Sequence, residues 1–184
     1  MSQEILIVDI ETTGFLAQGG KIVEIGIVKL NLNNGEITPV YNSLIKEDGF
    51  NLSHTYGRFG WIFKNSDLSY DDVCCAPSLE SQRVELQSLF STYKATAYNK
   101  SFDFGYLRDR GFSINELECP MRIATPILDL RCKNGRRGKF PKVEEAWDYF
   151  FGNTGYIEAH RGLDDAQHEA MIVYELYKMG EFAV

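Results

Sequence analysis

Residues 5–14 read ILIVDIETTG: four branched aliphatic side chains, then an acid, an isoleucine and a second acid. In a strand, side chains alternate faces with period two, so Asp9 and Glu11 point the same way, roughly 7 Å apart along the chain. A segment that otherwise reads as buried core therefore aims two carboxylates at one place. Crowded carboxylates are costly unless a positive charge compensates them, and hard divalent ions such as Mg2+ or Mn2+ take oxygen ligands. The decapeptide alone leaves a plainer reading open, in which the strand simply ends, Glu11 lies in water and Asp9 caps whatever follows.

The 184 residues suit one domain, read here as 1–184, long enough to bury a proper core. A hydrophobic fraction of 44% and a charged fraction of 24% are ordinary globular values and give no sign of disorder. No apolar stretch approaches the roughly 20 residues of a membrane span, and MSQEILIVDIE lacks the basic start and small-residue cleavage site of a signal peptide. Cys74, Cys75, Cys119 and Cys132 show no paired metal spacing and make a poor disulfide framework, so a cytoplasmic location is expected. A net charge of −7 argues against coating long nucleic acid through non-specific phosphate contacts, but not against gripping one strand end locally. The segment RCKNGRRGK, residues 131–139, carries five cations and no acid. It reads either as a solvated loop or as a phosphate-contacting one.

Working outward from the first strand, residues 21–45 hold two β-rich runs separated by NNGE, a strong hairpin signal, which makes a three-strand start. Residues 51–77 are broken by Gly57, Gly60 and Pro77 and predict a mobile loop region with short helices. A helix follows over 78–94, with Leu79, Val84, Leu86, Leu89 and Phe90 available for burial. Next come a short strand at ATAY and a helix ending at Gly111. IATPILDL, residues 123–130, reads as a strand, with Pro126 hinting at an edge or a bulge. Two more helices are expected, over about 142–151 and 163–179, the last with Ala166, Ala170, Val173 and Tyr177 at helical spacing. Three strands followed by alternating helices and strands predict an α/β layer fold with a mixed sheet flanked by helices.

Asp103, in NKSFDFGYL, and Asp165, in HRGLDDAQHEA, each lie near the start of a helix, where an acid suits the macrodipole without further purpose. Asp164 is the expected cap of the last helix. Taken as a set with Asp9 and Glu11, however, these acids are placed to converge at one end of a sheet, where ligand crevices form in open α/β folds. Four carboxylates around one pocket call for cations. His160, on a Gly-rich loop beside them, is suited to take a proton from an attacking water. Two divalent ions roughly 3.5–4 Å apart would suit in-line phosphodiester hydrolysis.

In order and spacing, DIETTG (Asp9, Glu11), NKSFD (Asp103) and HRGLDDA (His160, Asp165) resemble the three motifs of the DEDDh 3′→5′ exonucleases. That group contains the proofreading epsilon subunit of bacterial DNA polymerase III, ribonuclease T and oligoribonuclease. The resemblance runs from residue 5 to about 175 and implies a ribonuclease H-like fold. It also implies hydrolysis of single-stranded DNA or RNA 3′ ends to 5′-mononucleotides, with two Mg2+ or Mn2+ ions as cofactors. By position it makes Asp9, Glu11, Asp103 and Asp165 metal ligands and His160 the general base. Thr12, Thr13 and Gly14 would hold the terminal nucleotide, and Asn99 and Phe102 would flank the site, although Phe102 reads equally as a packed helix residue.

There are departures from the family pattern. Tyr98-Asn99-Lys100 stands where many relatives have His-Asn-Ala, and Gly162 replaces an expected Ala, which should loosen the loop carrying His160. The wedge that many relatives set against the terminal base is represented only by LSHTYGRFGWIF, residues 52–63. Its aromatics Tyr56, Phe59, Trp61 and Phe63 are able either to stack on bases or to form core beneath a loop. The resemblance implies a DNA polymerase or a second copy of the chain as partner, yet the chain ends at Val184 without the extension expected of a polymerase-bound subunit. Two other readings stand beside the exonuclease. One is a nucleic-acid-binding or scaffold protein of the same fold that has lost catalysis. The other is an aspartyl phosphatase, disfavoured because the second acid is Glu11 and no lysine-bearing motif suits it.

Overall fold

A computed structural model describes residues 3–184. Strand β1 (Glu4–Thr12) pairs antiparallel with β2 (Ile22–Asn31), and β2 with β3 (Glu36–Leu44). β4 (Lys94–Thr96) and β5 (Asn115–Glu116) extend the other edge in parallel, giving the order β3-β2-β1-β4-β5. The hairpin between β2 and β3 turns at Gly35, whose φ of 76° is the left-handed conformation glycine adopts without steric cost.

The period of two along β1 sorts its side chains into two cores. Leu6, Val8 and Ile10 face helices α3 (Leu79–Thr92) and α4 (Lys100–Asp109), packing with Leu86, Phe90, Phe104 and Leu107. Ile5 and Ile7 face α5 (Pro120–Leu128), α6 (Val143–Phe151) and α7 (Gly162–Lys178), against Ala124, Ala146, Ala170 and Val173. Asp9 and Glu11 continue the odd-numbered face and so lie on the α7 side. Two short helices, α1 (Ile62–Asn65) and α2 (Tyr70–Cys74), with 3-10 turns before them, occupy the segment between β3 and α3. They close over a third, small core of Val23, Phe50, Ile62, Leu68 and Val73.

Several expectations are corrected. Residues 123–130 are not a strand: Pro120 opens α5 at a position where its missing N–H costs nothing, and Ala124, Ile127 and Leu128 recur at helical spacing against the α7 core. Pro126 is tolerated because it sits on the exposed face within the last turn, just before Asp129 at φ 44° stops the helix. The remaining parallel strand is instead the two-residue β5, too short for periodicity to reveal. Val84 does not enter the core; it is 83% exposed on the outer face of α3. The N-cap of α7 is Arg161, not Asp164, which lies inside the first turn.

Candidate active site

At the end of β1 the antiparallel pairing slips between Glu11 and Thr12, and the chain turns away. A cavity of about 460 Å³ opens here. Its floor carries Asp9 and Glu11 from β1, Asp103 from the first turn of α4, and Asp165 and Glu169 from α7, with Glu158 and His160 on the loop before α7. Backbone N–H groups hold the acids in place, two of them, from Ile10 and Tyr98, reaching across segments distant in sequence. The Ile10 N–H donates to Asp103 Oδ1 at 3.2 Å, the Arg161 N–H to Asp165 Oδ2 at 2.9 Å and the Ala159 N–H to Asp165 Oδ1 at 3.3 Å. Glu169 Oε2 accepts from the Tyr98 N–H at 3.2 Å.

The carboxylates strain against one another. Burial pushes the Asp9 carboxyl well above the usual range, and the neighbouring Glu169, Glu11, Asp103 and Asp165 push it further. Burial likewise raises Glu11, Glu169 and Asp165, and lifts Asp103 and Glu158 each to about 7. Asp9 Oδ2 is enclosed with no hydrogen-bond partner, and a buried acceptor left unmatched is costly. Ligand atoms of Glu11, His160 and Asp165 lie within 4.8 Å of one another. An oxygen-rich, mutually repelling set with an orphaned acceptor fits hard divalent cations.

His160 has φ 53°, in the left-handed region that non-glycine residues rarely occupy. Among the described residues only Asp129 shares this feature outside glycine. Such a conformation costs on the order of 1–2 kcal/mol and persists where surrounding contacts impose it. One contact is Trp61, whose ring meets the imidazole edge-on at 4.7 Å. Gly162 lets α7 start in contact with β2. A Cβ on Gly26 would stand 2.0 Å from the Gly162 carbonyl carbon, and one on Gly162 would stand 2.8 Å from the Gly26 nitrogen.

Of the other residues singled out in the sequence, Thr12, Gly14, Asn99 and Phe102 line the cavity. Thr13 does not: it is fully buried and its Oγ1 accepts from the Lys21 N–H at 2.9 Å, holding the end of β1 to β2. Phe102 meets Phe15 edge-to-face at 6.5 Å, and Phe15 is 64% exposed at the rim. The aromatics of residues 52–63 divide: Trp61 lines the cavity, Tyr56 is exposed, and Phe63 packs on Phe50 in the small core. In the basic loop Arg137 pairs with Asp129 and Lys139 with Glu145, which removes two of its five cations from free display.

Glu158, Glu169 and Arg58 also line the cavity and escaped sequence reasoning. Glu169 lies one helical turn after Asp165, so the same α7 face carries both, and that spacing was the available signal. Nothing local marks Glu158 or Arg58.

A sequence profile of the RNase T exonuclease family matches residues 6–173. The chain belongs to this exonuclease family. This exonuclease domain is 31% identical over 178 residues to a DNA polymerase III PolC-type of Staphylococcus saprophyticus, covering 96% of the chain and 11% of that protein. A DNA polymerase III PolC-type of Clostridium perfringens is 24% identical over 180 residues, covering 97% of the chain and 12% of that protein. The exonuclease domain thus spans only a small part of these curated relatives. Among solved structures, the nuclease domain of 3′hExo, a DEDDh family member bound to rAMP, superposes with TM-score 0.72 at 15% identity, over 99% of this chain and 96% of that one. E. coli Exonuclease I in complex with a dA16 oligonucleotide gives TM-score 0.70 at 12% identity, over 96% and 41%. The fold of the exonuclease domain is therefore ribonuclease H-like, with a mixed five-stranded sheet flanked by helices. Among the described residues no helix is long and apolar enough to cross a membrane.

Proposed function

We propose that the chain is a metal-dependent 3′→5′ exonuclease that removes 5′-mononucleotides from single-stranded DNA or RNA ends. The observation that carries this reading is the orphaned Asp9 Oδ2 inside a ring of buried carboxylates, with His160 against Glu11 and Asp165. Asp9, Glu11, Asp103 and Asp165 would hold two divalent ions, Mg2+ or Mn2+. Bound there, the ions would supply positive charge to the oxygens of the scissile phosphate.

The chain's own groups do the rest. His160 accepts a proton from the water whose oxygen bonds to the phosphorus of the terminal phosphodiester; the bond from phosphorus to the 3′ oxygen of the penultimate nucleotide breaks, and that oxygen takes a proton from solvent to leave as a hydroxyl. Asp165, fixed by two backbone N–H groups of the His160 loop, keeps the loop against the carboxylates. Thr12, Gly14, Asn99 and Phe102 are placed to position the terminal nucleotide, with Trp61 and Phe15 offering faces on which bases stack whatever their sequence.

The PolC-type relatives support a role beside a DNA polymerase, and self-association is the other partnership to test. The deciding experiment follows 5′-labelled single-stranded DNA and RNA of matched sequence with Mn2+, then with EDTA, for the wild type and for Asp9→Ala and His160→Ala. A ladder shortening from the 3′ end, lost with EDTA and in both variants, is expected. Full activity in Asp9→Ala refutes the assignment of roles. Strand binding without turnover by the wild type would instead establish a catalytically lapsed binding protein.

A further inference from the structure

The loop that carries His160 is held from the outside by one side chain. Arg161 presents Nε at 3.0 Å from Glu24 Oε2 and Nη2 at 3.0 Å from Glu24 Oε1, a two-pronged grip on a carboxylate that is only 2% exposed on β2. Glu24 Oε2 also accepts from the Gly162 N–H at 3.2 Å. The remaining prong, Arg161 Nη1, reaches Asp67 at 2.8 Å, and Asp67 belongs to the segment that carries Arg58 and Trp61. One guanidinium thus joins the central sheet, the His160 loop and the wall that sets Trp61 on the imidazole. Its bonds to Glu24 raise the guanidinium further above its usual range, so the charge is permanent.

We propose that Arg161 is a positioning residue: its fork on Glu24 and its third bond to Asp67 hold His160 in its left-handed conformation and keep the Trp61 wall in register with it. The inference rests on the nuclease reading of the site but concerns a residue outside the reacting groups. The planar fork is what matters, because a paired Arg–carboxylate contact fixes orientation while a lysine supplies only a point charge. Glu24 is bonded on both oxygens, so the clamp leaves the loop little freedom to rotate about Arg161, the single residue that separates His160 from the Gly162 contact with β2.

The test uses Arg161→Ala, Arg161→Lys and Asp67→Asn in the full chain, with thermal melts alongside. For Arg161→Ala, kcat is expected to fall about 100-fold, the scale of an ångström-sized misplacement of a catalytic group, while Mn2+ affinity measured by calorimetry is retained. Low-millimolar guanidinium chloride should restore part of that kcat without changing Tm, and Arg161→Lys should stay closer to the alanine variant than to wild type. Asp67→Asn, at an exposed position, should raise KM more than it lowers kcat, because it releases the Trp61 wall and leaves the Glu24 fork in place. Losses that follow Tm, with no guanidinium rescue, overturn the proposal. Should the wild type release no nucleotide, the nuclease reading falls, and amide hydrogen exchange still decides the clamp. Faster exchange over residues 157–163 in Arg161→Ala sustains it, and unchanged exchange refutes it.

Discussion

Replacing Asp103 by asparagine should make the metal-free protein more stable at neutral and alkaline pH, and by an amount that depends on pH. Asp103 is 4% exposed, and burial lifts its carboxyl from the ordinary 3.8 to about 7. The folded chain therefore keeps a proton that the unfolded chain has already released. Stability linked to that proton is fully present below about pH 4 and is lost progressively as the pH climbs to about 7. The interval between the two values, at about 1.4 kcal/mol per unit, corresponds to about 4 kcal/mol by pH 8. Asparagine never ionises, and its Oδ1 still accepts from the Ile10 N–H. In EDTA the variant and wild type should melt together near pH 4 and separate above it. The gap should approach 8–16 °C by pH 8, on the scale of about 2–4 °C per kcal/mol for a chain of this size. Thermal unfolding by circular dichroism from pH 4 to 8 measures it. Added Mn2+ should raise the wild-type Tm, by about 2.7 kcal/mol of stability at a hundredfold excess over Kd, and should raise the variant's by less. A gap that is constant across pH, or an equal Mn2+ response in both proteins, refutes the argument that Asp103 is a strained carboxylate relieved by a cation.

Three further outcomes follow from particular contacts. Gly26→Ala drives a methyl group into the start of α7 and should cost about 1–3 kcal/mol or more, with cleavage activity falling further than stability because Asp165 and His160 move with the helix; a denaturant melt and a kcat measurement check both. Trp61→Ala should weaken strand binding by about 1–3 kcal/mol, read as a fivefold or greater rise in KM, with secondary structure unchanged. Arg110→Ala leaves the Glu47 carboxylate, 6% exposed and gripped at 2.7 and 2.9 Å, without its counter-charge, and should destabilise the chain by about 3–5 kcal/mol at pH 7 in urea titration.

What the sequence determined by itself is the part that repeats with a short period or lies within one motif. The alternation in residues 5–11 placed Asp9 and Glu11 on one face, the Asn-Gly turn joined β2 to β3, and helical spacing marked α7 with Asp165 in its first turn. These are local geometry, so neighbours along the chain suffice to specify them. Tertiary structure decided everything that depends on which segments meet. The run at 123–130 has an apolar content that suits strand or helix alike, and its packing beside α7 made it α5. Gly162 reads in isolation as a flexible link and becomes a point of close approach only because Gly26, on β2, lies beneath it. Glu24 and Arg161, 137 residues apart, carry no shared pattern, and their ion pair exists because β2 and the start of α7 are brought together by the sheet and its covering helix. Convergence of Asp9, Glu11, Asp103 and Asp165 at one cavity belongs to the same class. The motif order pointed to that meeting, but the burial and mutual repulsion that raise these carboxyls come from the fold, which encloses them together.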